Sequence, residues 1–202
     1  MFIMGLEDCQ KLGYSIMSQL HTTLTQIVSR INITSVNSMM EFLTILKLWR
    51  IKIMELLKIP NPVLKTKCEN IPHVSMELLG QIDEMIQIAK DNNLVGMAAN
   101  QVGLLQNVFV MNVGENWQAF INPVIKRHNE NGKSWDWEGC GSIPNLLCLV
   151  ERHNIIDVNY MSIDGESKSI QLSGFLARIA QHETDHLLGI LITDKARQRK
   201  KV

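Results

Sequence analysis

From about Ile51 onward the chain moves between two hydrophobic rhythms. In "SMELLGQIDEMIQIAKDNN" the apolar residues Leu78, Leu79, Ile82, Met85, Ile86 and Ala89 recur at steps of three and four, which places them on one face of a helix. Ser75 stands where an N-cap belongs. "NVFVMNV", "AFINPVIK" and "IIDVNYMSI" crowd apolar and β-branched residues into runs of strand length, and "IDGES" has the composition of a hairpin turn. "KIPNPVL" is a proline-punctuated turn. "SGFLARIAQHETDHLLGIL" returns to the helical rhythm as the last helix, with Gly189 marking its end. Strands before and between two helices indicate an α+β fold, not alternating βαβ units. The expected architecture is mixed or antiparallel sheets packed around the C-terminal helix.

The first fifty residues have a different texture. They are rich in Ser and Thr and lack proline, and their apolar positions Leu20, Leu24, Ile27 and Ile31 suit one or two amphipathic helices. The expected organisation is a helical N-terminal extension over 1–50 and a catalytic domain over 51–202. The run "MMEFLTILKLWRIKIMELLKI" is interrupted by Glu41, Lys47, Arg50 and Lys52. A membrane-spanning helix needs about 20 largely apolar residues, so no membrane partner is expected.

The 202 residues are 46% hydrophobic and 20% charged, and the formal net charge is zero. No global field then draws the chain to DNA or to a membrane. Cys9, Cys68, Cys140 and Cys148 contain no C-x-x-C pair, which indicates a reducing compartment. The opening "MFIMGLEDCQ" lacks a basic n-region, and the low arginine content of the first fifty residues argues against an organellar transit peptide. The expected location is the cytoplasm.

Chemistry enters with "QHETDH". H-E-x-x-H on a helix sets His182 and His186 one turn apart on one face, with Glu183 beside them. A catalytic site of this kind takes three protein ligands and one open position. No glutamate follows Glu183, and Ile192 stands where a third downstream histidine would be needed. The third ligand is therefore expected upstream. Cys140, flanked by glycines in "WEGCGSIP", is the candidate. One thiolate with two imidazoles suits iron(II), zinc, cobalt or nickel. In "NLVGMAANQVG" the small Gly96, Ala98 and Ala99 leave room for an extended ligand, and Gln101 offers an amide donor. The other three cysteines read as small buried hydrophobes.

L-V-G-M-A-A-N-Q at 94–101, E-G-C-G-S at 138–142 and H-E-T-D-H at 182–186 stand in that order. Together they resemble the three motifs of the peptide deformylase family, G-φ-G-φ-A-A-x-Q, E-G-C-x-S and H-E-x-D-H, where φ is apolar. The resemblance covers about Ile51 to Asp194. Leu94 stands for the first glycine of the first motif, Gly141 for a residue that is often leucine, and Asn145 follows Pro144 where glycine is common. None of these positions is a metal ligand or the acid/base.

The resemblance implies hydrolysis of the formyl group from the initiating methionine of new polypeptides, with release of formate. Cys140, His182 and His186 would hold one divalent ion, iron(II) in the cell, with zinc, nickel or cobalt in purified protein. Glu183 would be the general base and acid, and Gln101 with the Gly141 N–H would hold the oxyanion. Val95, Gly96, Phe175 and Ile179 would contact the substrate, and Arg152 and Asp185 would form an ion pair that orients the metal helix. Arg178, where the family often has an apolar residue, reads as a stem that snorkels to solvent. The basic tail "KARQRKKV" reads as a ribosome contact. Two other readings stay open on the residues alone: a different metallohydrolase on the H-E-x-x-H helix, and a non-enzymatic relative that binds the ribosome. The lack of a downstream ligand argues against the first. The retention of Cys140, Glu183 and Gln101 argues against the second.

Overall fold

The computed structural model of the protein describes residues 54–114, 116–128 and 132–202. The expected N-terminal helices, and Cys9, lie outside the described residues. The sequence rhythm of the first helix becomes α1, Met76–Asp91, with the Ser75 side chain accepting from the Leu78 N–H. It buries Leu78, Ile82, Met85 and Ala89.

Five strands form one sheet in the order β1-β2-β3-β6-β7. They are β1 Gly96–Ala98, β2 Val108–Val113, β3 Asn116–Arg127, β6 Ile155–Met161 and β7 Ser167–Ser173. Three more, β4 Lys133–Cys140, β5 Ile143–His153 and β8 Gln198–Lys201, form a second sheet in the order β4-β5-β8. Every ladder is antiparallel, and parallel pairing among the described residues is confined to the isolated bridge of Glu69 with Gln106. The expectation of mixed sheets narrows to antiparallel ones. This is an α+β fold.

The second long helix, α2, spans Gly174–Leu187, and the short α3, Ile192–Lys195, follows it. The expected end at Gly189 holds, but the helix is not the last one, since α3 follows it.

Strand β2 explains how the site is held. Val108, Phe109, Val110 and Met111 are all fully buried. Alternate side chains of a strand face opposite ways. Val108 and Val110 join a core with Leu78, Ile82 and Met85 of α1, while Phe109 and Met111 join Phe120, Ile179, Ala180 and Leu187 on the α2 side. The sheet is thus covered by a helix on each face, which is why β2 reads as a continuous apolar run. Phe109 and Phe120 are cross-strand partners whose rings stack at 4.7 Å between centroids. A third cluster, with Leu64, Ile143, Cys148, Val150, Leu191 and Ile192, lies between the smaller sheet and α3. Among the described residues no helix is long and apolar enough to cross a membrane.

Helix α2 ends in a Schellman motif. The Gly189 N–H donates to the His186 carbonyl and the Ile190 N–H to the Asp185 carbonyl, each at 2.9 Å. Gly189 has φ +73°, and a Cβ there would lie 2.5 Å from the Lys65 carbonyl oxygen. The Cys68 N–H binds the Leu187 carbonyl at 2.8 Å, so the 65–68 segment is fastened onto this turn. Gly189→Ala should therefore destabilise the protein by more than the ~1–2 kcal/mol that a left-handed backbone alone costs an L-residue. Urea unfolding midpoints compared at equal m-values would measure it; an unchanged midpoint would contradict this account.

Candidate metal and catalytic site

Three elements converge on one point. Along α2, Ile179, His182, Glu183 and His186 fall at steps of three and four and share a face. The β4–β5 hairpin turns at Gly141 and Ser142, after a register shift between Glu138 and Cys140 that ends regular pairing just where the cysteine stands. Strand β1 is an edge of the five-stranded sheet and leads into a 3-10 turn, Ala99–Val102, that carries Asn100 and Gln101.

The ligand atoms of Cys140, His182 and His186 lie within 4.8 Å of one another. Cys140 Sγ is 3.2 Å from His186 Nε2, and the two imidazole rings meet edge to face at 4.9 Å. His182 Nδ1 is 3.0 Å from Glu138 Oε2. With that nitrogen donating to Glu138, Nε2 is the nitrogen that would bind a metal once its own proton is displaced.

Glu138 is a buried carboxylate with a full set of donors. Arg152 reaches it with Nε and Nη2, both at 2.9 Å, and Arg178 Nη1 adds a third guanidinium contact at 2.8 Å. Burial pushes its pKa up, but the hydrogen bonds from Arg152 and His182 outweigh that and hold it far below the carboxylate range. Arg152 also pairs with Asp185, whose other oxygen accepts from Lys195 Nζ at 2.6 Å. Arg178 is only 7% exposed and spends its remaining donors on the Val150 and Ser134 carbonyls, at 3.0 and 2.9 Å. The snorkelling reading of Arg178 is thus corrected. Its guanidinium points inward because a buried anion and two main-chain oxygens satisfy it there.

The electrostatics separate the groups. Burial works against a proton on His182, yet Cys140, Glu138 and the charge of Glu183 hold its pKa up to about 10. A field that favours positive charge at this imidazole favours a cation in its place. For His186 burial and the positive charges of His182 and Arg152 act together, and its pKa falls well below the ordinary value. It stays neutral and able to ligate. Burial raises Glu183 to about 7, with His182 pulling it down and Glu138 pushing it up. Glu183 Oε2 and His186 Nδ1 are buried and have no hydrogen-bond partner among the described residues. A soft thiolate and two imidazoles are a donor set that fits one divalent metal with one open position, and the buried Glu183 carboxylate stands beside it with an unsatisfied oxygen.

Gln101 lies against this centre. Its Nε2 donates to Ser142 Oγ at 3.1 Å and sits 3.9 Å from Cys140 Sγ, while its Oε1 accepts from the Ala98 N–H at 2.9 Å. The amide orientation is therefore fixed with its NH₂ toward the cysteine. Gly96 faces α2 so closely that a Cβ would stand 2.7 Å from Glu183 Oε1 and 2.8 Å from Ile179 Cγ2. Gly96, Ile179 and Glu183 are thus brought together. Val95 is 46% exposed and Phe175 64% exposed, so both present apolar surface to solvent. Four residues around the centre went without a role in the sequence reading. Glu138 was visible as the first letter of E-G-C-G-S. Ser142 was visible as the last letter of the same motif, and Arg178 as a charge where the family often has an apolar residue. Asn100 occupies the free position of A-A-x-Q, and its Nδ2 donates to the His186 carbonyl.

Comparison with known proteins adds an independent line. Residues 53–202 match the family model described as polypeptide deformylase. A peptide deformylase of Dictyoglomus turgidum is 39% identical over 144 residues, which cover 71% of this chain and 93% of that protein. The crystal structure of peptide deformylase from Thermotoga maritima superposes with a TM-score of 0.69 at 35% identity, over 73% of this chain and 99% of that one. A peptide deformylase from Synechococcus elongatus in complex with actinonin gives 0.69 at 32% identity, over 72% and 79%. On the matched length, the identity and the shared fold, the chain belongs to the peptide deformylase family, hydrolases that remove the N-formyl group from newly made polypeptides.

Proposed function

We propose that Cys140, His182 and His186 hold one divalent ion, iron(II) in the cell with zinc, nickel or cobalt able to replace it, and that Glu183 runs the proton transfers of deformylation. The observation that carries this is the convergence of the three ligand atoms beside a buried carboxylate whose Oε2 lacks a partner. An ion held there supplies Lewis acidity toward a carbonyl and toward water. Glu183 takes a proton from the attacking water as its oxygen bonds to the formyl carbon. The Gln101 Nε2 and the Gly141 N–H donate to the formyl oxygen as it gains negative charge. Glu183 then gives the proton to the departing amine nitrogen as the carbon–nitrogen bond breaks. Formate and a free α-amine result, with no net proton consumed by the protein.

The remaining assignments belong to the same proposal. The free edge of β1 suits an extended peptide that pairs with main-chain groups near Val95 and Gly96. Ile179, with Val95, Phe175 and the edge of His182, supplies apolar surface for the methionine side chain. Arg152 and Asp185 act behind the ligands, Arg152 through Glu138 on His182 and Asp185 through Arg152. The catalytic domain is assigned to 51–202 and an extension to 1–50.

Purified protein should release formate from a formyl-Met peptide and leave the same peptide uncut when it is unformylated. Glu183→Ala should keep its metal by elemental analysis yet lose about 10²-fold or more in turnover. Near-normal deformylation by that variant would remove Glu183 from the mechanism. Actinonin, which the Synechococcus elongatus relative binds, serves as a probe of the assembled site.

Gln101→Leu should lower kcat by about 10²–10³-fold, the usual cost of one oxyanion donor, with KM changing far less. A change confined to KM would assign Gln101 to ground-state binding.

The basic tail is proposed as a ribosome contact, and charge reversal tests it better than truncation does. Lys195 binds Asp185, and Arg199, Lys200 and Lys201 lie in β8 against β5, so truncation after Asp194 would strip an edge from the smaller sheet. Lys200→Glu with Lys201→Glu keeps the strand. Hydrolysis of a short formyl peptide should be unchanged. Co-sedimentation with ribosomes should weaken, most at low salt, where contacts to phosphates are strongest. Equal co-sedimentation would end this assignment.

A further inference from the structure

The backbone of Gly141 lies outside the left-handed region, so its own dihedrals would admit a side chain. Its neighbours leave room for one only if they shift. A Cβ at 141 would meet both Leu94 δ-methyls at 3.0 Å and Leu56 Cδ2 at 3.2 Å. Those two leucines are themselves seated against the α1 core, and the Leu94 N–H is tied to the Ala89 carbonyl at 2.8 Å, just past the end of α1. The hairpin tip is also gripped on its flank. The Ile59 N–H donates to the Ser142 carbonyl at 3.0 Å, the Leu57 N–H to the Gln101 carbonyl at 2.7 Å, and Gln101 Nε2 to Ser142 Oγ at 3.1 Å. Hydrogen bonds fix Ser142, and the atoms nearest the face of Gly141 are leucine methyl groups.

We propose that Leu94 is a positioning residue for the Gly141 N–H. Its δ-methyls fill the space beside the Gly141 Cα, hold the Cys140–Gly141 peptide plane, and must give way if a side chain is placed at 141. The volumes at 94 and 141 are therefore coupled: a side chain is accommodated at one position only if it is cut back at the other. This rests on the assignment of the Gly141 N–H as an oxyanion donor. Loose packing on one side of a donor that must meet a developing charge costs rate rather than binding, because its aim matters most in the transition state.

A double-mutant cycle tests the coupling. Leu94→Ala should lower kcat on a formyl-Met peptide by about tenfold, part of the cost of a lost donor, with KM within about twofold. Metal content per chain should stay at the wild-type level. Leu94→Met, close in volume, should keep near wild-type kcat. Gly141→Ala should lose activity with Leu94 in place and recover several-fold when Leu94→Ala is added. Full activity of Gly141→Ala alone, or a double variant that loses the product of the two single effects, would overturn the proposal. If Leu94→Ala does not fold, Leu94→Val paired with Gly141→Ala runs the same cycle. Unchanged kcat in the Leu94 variants, beside a strong loss in Gln101→Leu, would refute Leu94 positioning while leaving the deformylase mechanism intact. Absence of formate release by the wild-type protein would instead fail the reading beneath it.

Discussion

One buried carboxylate holds the functional half of the molecule together. Glu138 on β4 is bound by Arg152 on β5 and by Arg178 and His182 on α2. Taking such a charge out of water costs several kcal/mol, and only a complete set of partners offsets it. Here both oxygens are doubly engaged. The β4–β5 hairpin and the distant helix α2 are therefore locked in one relative orientation, and that orientation sets the His182 ring. A hydrophobic cluster of equal volume could hold the elements together, but it would not choose which imidazole nitrogen faces the cysteine.

The apolar architecture gives this lock something rigid to act on. With a helix on each face of the five-stranded sheet, β2 is buried on both sides and cannot shift without disturbing two cores. The same compression brings β1 against α2, so close that Gly96 admits no side chain beside Glu183. At the far end of α2, the Schellman turn and the Asn100 contact both act on the His186 carbonyl. The ligand helix is thus held along its face and at its C-terminus by unrelated interactions.

Much of this was visible in the chain before folding. H-E-T-D-H gave the helical face through its spacing, and the lack of any later glutamate or histidine turned attention to Cys140. Helix α1 followed from periodicity and Ser75. What escaped was what depends on partners remote in sequence. Arg178 looked like a surface stem because no acid stands three or four residues from it on the helix; its anion is forty positions away across a helix–sheet contact. Strand β4 escaped because "KSWDW" is exposed along most of its length and shows no buried alternation. Strand β8 was hidden by its charges, since a ladder is built from main-chain groups that leave no mark in a run such as Gln-Arg-Lys-Lys.

That last strand has a consequence for quality control. The main-chain groups on one side of β5 are met by Gln198–Lys201, and on the other side by β4, which carries Glu138 and Cys140. A chain interrupted between Asp194 and Gln198 would keep all three metal ligands and yet expose an open strand lined by Leu146, Cys148 and Val150. Such an edge invites pairing with other chains. The cell would then meet the defect first as a solubility problem rather than as a catalytic one.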